Sequence, residues 1–226
     1  VRYICTAILV IFLTFNLFGC ASVQIPRQSF VRIVAEFTVN ECVQDHCLTN
    51  TTKSFASGAI VASRTKTYIL TAGHVCDIEY AKLQLKTEHV VGDYWIQDQF
   101  GISFHAKVYK LDQENDLCLL VTQRLGHMPI DLRSTGPEYG EKLYNLAAPA
   151  GLASKTYVPL LEGRYSGFNQ YAMVFTIPAI GGSSGSPIFD RNGRMVGMIM
   201  SVNRKFPMIS YSPHYHAIKD LLKGIK

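Results

Sequence analysis

The sequence predicts an all-β protein, a barrel or sandwich of short strands ending in one helix. Three observations carry this reading. Short runs rich in β-branched and aromatic residues recur along the chain, each bounded by Gly, Pro, Asn, Asp or Ser. Apolar positions at helical spacing occur convincingly only near the end. And 226 residues is long for one compact unit and short for two ordinary domains, which suits one all-β domain or two small barrels sharing a cleft.

Taken in order, the chain begins with a segment that is not part of the fold. Arg2 is the sole charge ahead of an apolar run over residues 3–18, the pattern of an export signal over residues 1–19. The run is short for a permanent membrane span, which takes about 20 apolar residues. It ends in Leu17-Phe18-Gly19-Cys20-Ala21, which resembles a bacterial lipobox and marks Cys20 for lipidation, although Phe18 is bulkier than that pattern prefers. An ordinary export signal cut nearby is the alternative. Either way the mature protein is expected outside the cytoplasm, secreted or held at the cell envelope by a lipid anchor. Residues 20–29, with Pro26 and Arg27, read as a polar tether.

Strands are predicted over residues 31–39, where Arg32 and Glu36 share a face, and over 57–62 and 67–71, a hairpin around Ser63-Arg64-Thr65-Lys66. Further strands are expected at 81–86, 94–97, 103–111 and 117–122. A stretch with Pro129, Gly136 and Pro137, residues 126–140, marks a boundary. Strands resume at 142–147, 157–168, 172–177, 187–189, 194–202 and 207–210. The helix is placed at 214–225, with Ile218, Leu221, Leu222 and Ile225 on one face and Ser212-Pro213 as its start signal. The net charge of +5, from 22 basic and 17 acidic residues without a like-charged run, offers no clustered basic face for nucleic acid.

Three segments carry chemistry. Thr71-Ala72-Gly73-His74 puts a histidine at the end of an apolar strand, beside small residues that allow close backbone approach. Asn115-Asp116-Leu117-Cys118 puts a carboxylate at the entry to a buried strand. Carboxylates seldom go inside unpaired, and one that does can fix a histidine's tautomer. Asp112 and Glu114 lie further back in the polar loop. Gly181-Gly182-Ser183-Ser184-Gly185-Ser186-Pro187 sets a serine among glycines, whose conformational freedom lets backbone N–H groups converge into a nest. The Gly182 and Ser184 amides are the expected donors of an oxyanion hole. Base, acid and nucleophile are together the equipment for acyl transfer through a serine. Each has a bland counterpart: a locally satisfied histidine, a solvated acid, a flexible Gly/Ser turn. The same glycine segment also matches the elbow G-x-S-x-G with Ser183 as nucleophile, but that elbow must lead into a helix, and here Pro187 and a hairpin follow.

Cys5 would leave with the signal and Cys20 would carry lipid, so Cys42, Cys47, Cys76 and Cys118 remain for an oxidising compartment. Cys42 and Cys47 are close enough to close a small loop. Cys76 stands two after His74 and Cys118 two after Asp116, so a meeting of His74 with Asp116 would make these cysteines neighbours too. The expected disulfides are Cys42–Cys47 and Cys76–Cys118; four reduced buried thiols, or zinc held by Cys42, His46 and Cys47, are the alternatives.

The three motifs in this order resemble the trypsin/chymotrypsin-like serine peptidases, most of all their compact bacterial and viral members, glutamyl-endopeptidase-like and HtrA-like forms among them. The resemblance spans residues 30–224. It implies two antiparallel Greek-key β-barrels, residues 30–125 and 126–226, with a cleft between them and the helix last. It implies His74 as general base, Asp116 as its orienter, Ser184 as nucleophile, a protein or peptide substrate, and no cofactor or metal. The interval from Asp116 to Ser184 is short for the family, so the second barrel's loops must be trimmed. Ser183 stands where animal relatives carry an acid that binds a freed amino terminus, which implies an enzyme active without that switch. The primary pocket would be shaped by residues 176–180 and 200–203, with Thr176, Pro178, Ser201, Val202 and Asn203 as its lining. No acid lies there, so Arg or Lys is disfavoured and a small-to-medium apolar side chain expected, unless His214 or His216 approaches and favours an acid. Two competing functions share these motifs: an inactive peptide-binding module at the envelope that captures extended peptides near Ser201, and an esterase.

Overall fold

The computed structural model describes residues 22–43 and 46–225, with backbone alone between 40 and 48. The segment read as an export signal, Cys20, and the side chains of Cys42, His46 and Cys47 lie outside the described residues. Among the described residues, no helix is long and apolar enough to cross a membrane.

Six strands build the first unit: β1 (Phe30–Val43), β2 (His46–Ser63), β3 (Lys66–Ala72), β4 (Val90–Gln97), β5 (Ser103–Asp112) and β6 (Leu117–Gln123). They close into an antiparallel barrel in the order β1-β2-β3-β6-β5-β4. Alternation explains β1: Val31, Ile33, Ala35 and Phe37 turn inward, while Arg32 and Glu36 face out, Glu36 pairing with Lys53 at 2.7 Å. β6 departs from alternation, with Leu117 to Leu120 all fully buried, because one face fills the barrel and the other packs beneath a neighbouring turn. β1 and β2 run on as a hairpin in which Cys42 stands opposite Cys47.

The second unit holds β7 (Lys142–Leu146), β8 (Leu160–Phe168), β9 (Met173–Phe175), β10 (Pro187–Phe189), β11 (Met195–Met198), β12 (Ser201–Val202) and β13 (Ser210–Ser212). These form a seven-stranded sheet in the order β11-β10-β7-β8-β9-β13-β12 over a core of Leu143, Phe175, Ile177, Ile188, Val196 and Ile199. This is the two-barrel trypsin-like architecture. Its second member is built from these seven short strands. The connection between the units is stitched to both: the Ile130 amide donates to the Ile60 carbonyl, and Leu132 bridges Met195.

Among the described residues, three segments are α-helical: α1 (Gly73–Cys76), α2 (Ile78–Leu85) and α3 (Tyr215–Leu221). The strand predicted at 81–86 is a misreading, since those residues lie in α2 and just beyond it. Asp77 caps the helix, accepting from the amides of Glu79 at 2.9 Å and Tyr80 at 3.2 Å, and Ile78, Ala81 and Leu85 turn to the core at helical spacing. The predicted C-terminal helix is present but shorter than 214–225. The tether is also corrected. The Gln24 amide donates to the Arg191 carbonyl, Arg27 donates to that of Lys155, and Val23 packs on the core, so the segment from 23 onward is laid against the fold. Asp77→Ala should lower stability by about 1 kcal/mol through loss of the cap, read as an earlier urea midpoint.

Candidate active site

The site forms where three chain segments from the two units meet. β3 pairs with β6 to the last residue, Ala72 opposite Leu117, so the segments leaving these strands stay side by side. The Gly73 amide donates to the Asp116 carbonyl at 2.8 Å. A side chain on Gly73 would place its Cβ 2.8 Å from the Asp116 carbonyl carbon, so only glycine permits this approach. Asp116 itself takes a left-handed conformation, φ 51°, which aspartate tolerates better than most residues. The turn turns its carboxylate back to His74. Oδ1 accepts from the His74 amide at 2.6 Å, and Oδ2 from Nδ1 at 2.9 Å. A disulfide between Cys76 and Cys118, Cα atoms 6.4 Å apart, fastens the same two segments one step further on. Asp116 was expected to be buried, but its side chain keeps 26 % of its surface and that of His74 30 %.

Across the cleft, Ser184 Oγ lies 3.0 Å from His74 Nε2. With Nδ1 donating to the carboxylate, Nε2 is left as the acceptor for the Ser184 hydroxyl. The peptide groups whose N–H atoms belong to Gly182 and Ser184 are each held through their carbonyl end. Gly181 O accepts from the Ala150 amide at 2.6 Å, and Ser183 O from the Ser186 amide at 3.0 Å. Among the described residues, neither the Gly182 nor the Ser184 amide donates to a protein acceptor. Ser183 is fully buried, and its hydroxyl accepts from the Ile180 amide at 3.4 Å.

Ser57 of β2, which the sequence did not single out, ties this loop to the first barrel. Its amide donates to the Ser184 carbonyl at 2.8 Å, and its hydroxyl donates to the Gly182 carbonyl at 2.8 Å while accepting from the Ala148 amide at 2.9 Å. Nothing in a lone serine within a strand announces this, because its partners are far along the chain.

Sequence comparison places the chain directly: the sequence model of the trypsin-like peptidase domain matches residues 56–198. The chain belongs to that family. No curated protein sequence matches it significantly. Among solved structures it is similar to the serine endoprotease from Yersinia pestis, at 16% identity and TM-score 0.65, covering 88% of this chain and 62% of that one. It is also similar to the Rv3671c protease from M. tuberculosis in its active form, at 15% identity and TM-score 0.65, covering 88% of this chain and 82% of that one. This chain therefore spans under two thirds of the Yersinia protein's length, and at these identities the likeness speaks for the fold.

In this trypsin-like peptidase domain a cleft of about 570 Å³ runs beside His74 and Ser184, lined among others by Ile180, Met200, Ser201, Val202 and Arg204. Of the lining expected from sequence, Ser201 and Val202 are there. Thr176, Pro178 and Asn203 are not among its lining residues. The Thr176 hydroxyl accepts from the Arg164 amide at the sheet surface, and Asn203 Oδ1 caps its own turn by accepting from the amides of Lys205 and Phe206. Pro178, in the segment ahead of the serine, is half-buried. His214 and His216 do not reach the cleft either; their rings stack 5.4 Å apart, with Phe168 edge-on to His214. Arg204, unremarked in the sequence, supplies the cleft's cation. Among the described residues, no group of three or more His, Cys, Asp or Glu could hold a metal ion.

Behind the histidine, the Tyr94 hydroxyl donates to the Cys76 carbonyl at 3.0 Å, bracing the turn that carries His74. Burial pushes this phenol up from 10.0 to about 12, and the charges of Asp77 and Asp93 add to the effect. Because the folded value is the higher one, its contribution to stability is complete below the unfolded value and is lost as pH rises through about 12. Alkaline titration followed by phenolate absorbance should show one tyrosine ionising near pH 12 in wild type and absent in Tyr94→Phe.

Proposed function

We propose that this chain is a serine endopeptidase acting through Ser184, His74 and Asp116. The observation that carries the reading is the unbroken run from carboxylate to Nδ1 to Nε2 to Ser184 Oγ, at 2.9 and 3.0 Å, beside the Gly182 and Ser184 amides, which donate to no backbone acceptor among the described residues. As the Ser184 oxygen attacks a peptide carbonyl carbon, its proton passes to His74 Nε2, and the imidazolium so formed is stabilised by Asp116. The carbonyl oxygen becomes an oxyanion within reach of the Gly182 and Ser184 amides, which are fixed before the reaction and need not reorient. His74 then gives its proton to the departing amine as the carbon–nitrogen bond breaks, leaving an ester on Ser184. Water, deprotonated by His74, hydrolyses that ester, and the proton returns to Ser184.

Ser183 in place of an acid, with carbonyl anchors from Ala150 and Ser57 already made, supports activity without a cut that frees a new amino terminus. The Cys76–Cys118 disulfide is consistent with an exported protein. We read Cys20 as its lipid anchor, and loss of membrane association in Cys20→Ala would test this.

A fluorophosphonate probe should label the wild-type chain and leave Ser184→Ala unlabelled; equal labelling of both would remove the proposal's basis. Asp116→Asn should cut kcat by about 10³–10⁴-fold through the wrong histidine tautomer, with a smaller change in KM. Ser57→Ala should lower kcat about tenfold, less than loss of an oxyanion donor itself, with KM nearly unchanged. Ser57→Thr, which keeps the hydroxyl, should recover most of the loss.

A further inference from the structure

We infer that the peptidase recognises an apolar side chain on the residue immediately after the scissile bond, in a second cavity on the leaving-group side of Ser184. The inference rests on Ser184 as the nucleophile. This cavity, about 350 Å³, shares His74, Tyr80, Gly181 and Ser184 with the larger cleft but opens on the other flank of the catalytic pair.

The two flanks are told apart by what lines them. β12 lies along the larger cleft as the terminal strand of its sheet, paired on one side with β13. An extended peptide adds to such an edge as a further strand, which places the acyl half of the substrate there. The amine that takes the proton from His74 Nε2 then departs over the imidazole, into the second cavity.

The chemistry of the walls differs as well. Asp77, Asp116 and Arg204 border the larger cleft. The second cavity is walled by Phe37 and Phe55 from the β1–β2 hairpin, Val75 from α1, and Ala81 and Leu85 from α2. Its polar rim is Thr52, Ser54 and Gln84, and no Asp, Glu, Lys or Arg lines it. The aromatic wall is set in advance. The Arg32 guanidinium sits 5.5 Å from the Phe55 ring centre, and Gly151 lies so close that a Cβ there would be 2.8 Å from the ring. A Leu, Met or Phe side chain is desolvated there without opposing charge. A carboxylate would be desolvated with no Lys or Arg in the lining to meet it.

The test forms the acyl-enzyme from a p-nitrophenyl ester and lets amino-acid amides compete with water for it. In that step the amine nitrogen bonds to the acyl carbon, the Ser184 ester bond breaks, and the amine's proton returns to Ser184 through His74. With the full chain, leucinamide and phenylalaninamide should capture the acyl group at least about tenfold more efficiently than glycinamide or aspartic acid amide. Phe55→Ala should bring that ratio below about threefold. Gln84→Lys, an exposed change, should raise capture by aspartic acid amide severalfold. A burst of p-nitrophenol with equal capture of all four amides would overturn the cavity's role and leave the nucleophile in place. Absence of a burst from wild type would overturn both.

Discussion

Ser57 binds the two halves of the molecule where the chemistry is, and the site depends on that contact. It is a fully buried residue of the first barrel, and its amide and hydroxyl hold two carbonyls of the loop that carries Ser184. Its own carbonyl accepts from the Thr71 hydroxyl at 2.8 Å, three residues before His74. One strand position thus touches both the loop bearing Ser184 and the strand leading to His74. Buried polar groups left unpaired cost more than a made bond returns, so these contacts leave the loop little freedom to settle elsewhere.

Close packing makes this geometry intolerant. Gly185, at φ +84°, would put a Cβ 2.2 Å from both the Ser57 carbonyl oxygen and the Thr71 hydroxyl. The glycine beside Ser184 therefore serves the seam between the barrels as well as the turn. Gly73 does the same against Asp116. Where backbones approach this closely, the distance from His74 to Ser184 is set by the main chain, and the side chains need only point correctly.

The site's chemistry was more legible in the sequence than its surroundings. His74, Asp116 and Ser184 each sit beside a recognisable local signal: a strand end with small residues, an acid opening a buried run, a serine among glycines. Their meeting also brings Cys76 and Cys118 together, because both cysteines stand two residues beyond a partner. The walls of the cleft left no such mark. Thr176 and Asn203 have side chains spent on a β8 amide and on a turn, and Arg204 lines the cleft from the segment between β12 and β13. The strand reading of 81–86 failed because Asp77, a cap acting at the start of the helix, outweighed the β-like run after it.

The sequence by itself determined the strand-rich class, the family resemblance, and which His, Asp and Ser to examine, because these depend on local periodicity and on residue types at short spacing. The tertiary structure decided which groups hold the nucleophile loop, that the second sheet has seven strands, and that an apolar chamber lies beyond the histidine. Those features arise from pairings between residues far apart along the chain, Ser57 with Gly182 and Phe55 with Gly151 among them. Only the packing of one barrel against the other fixes such distances.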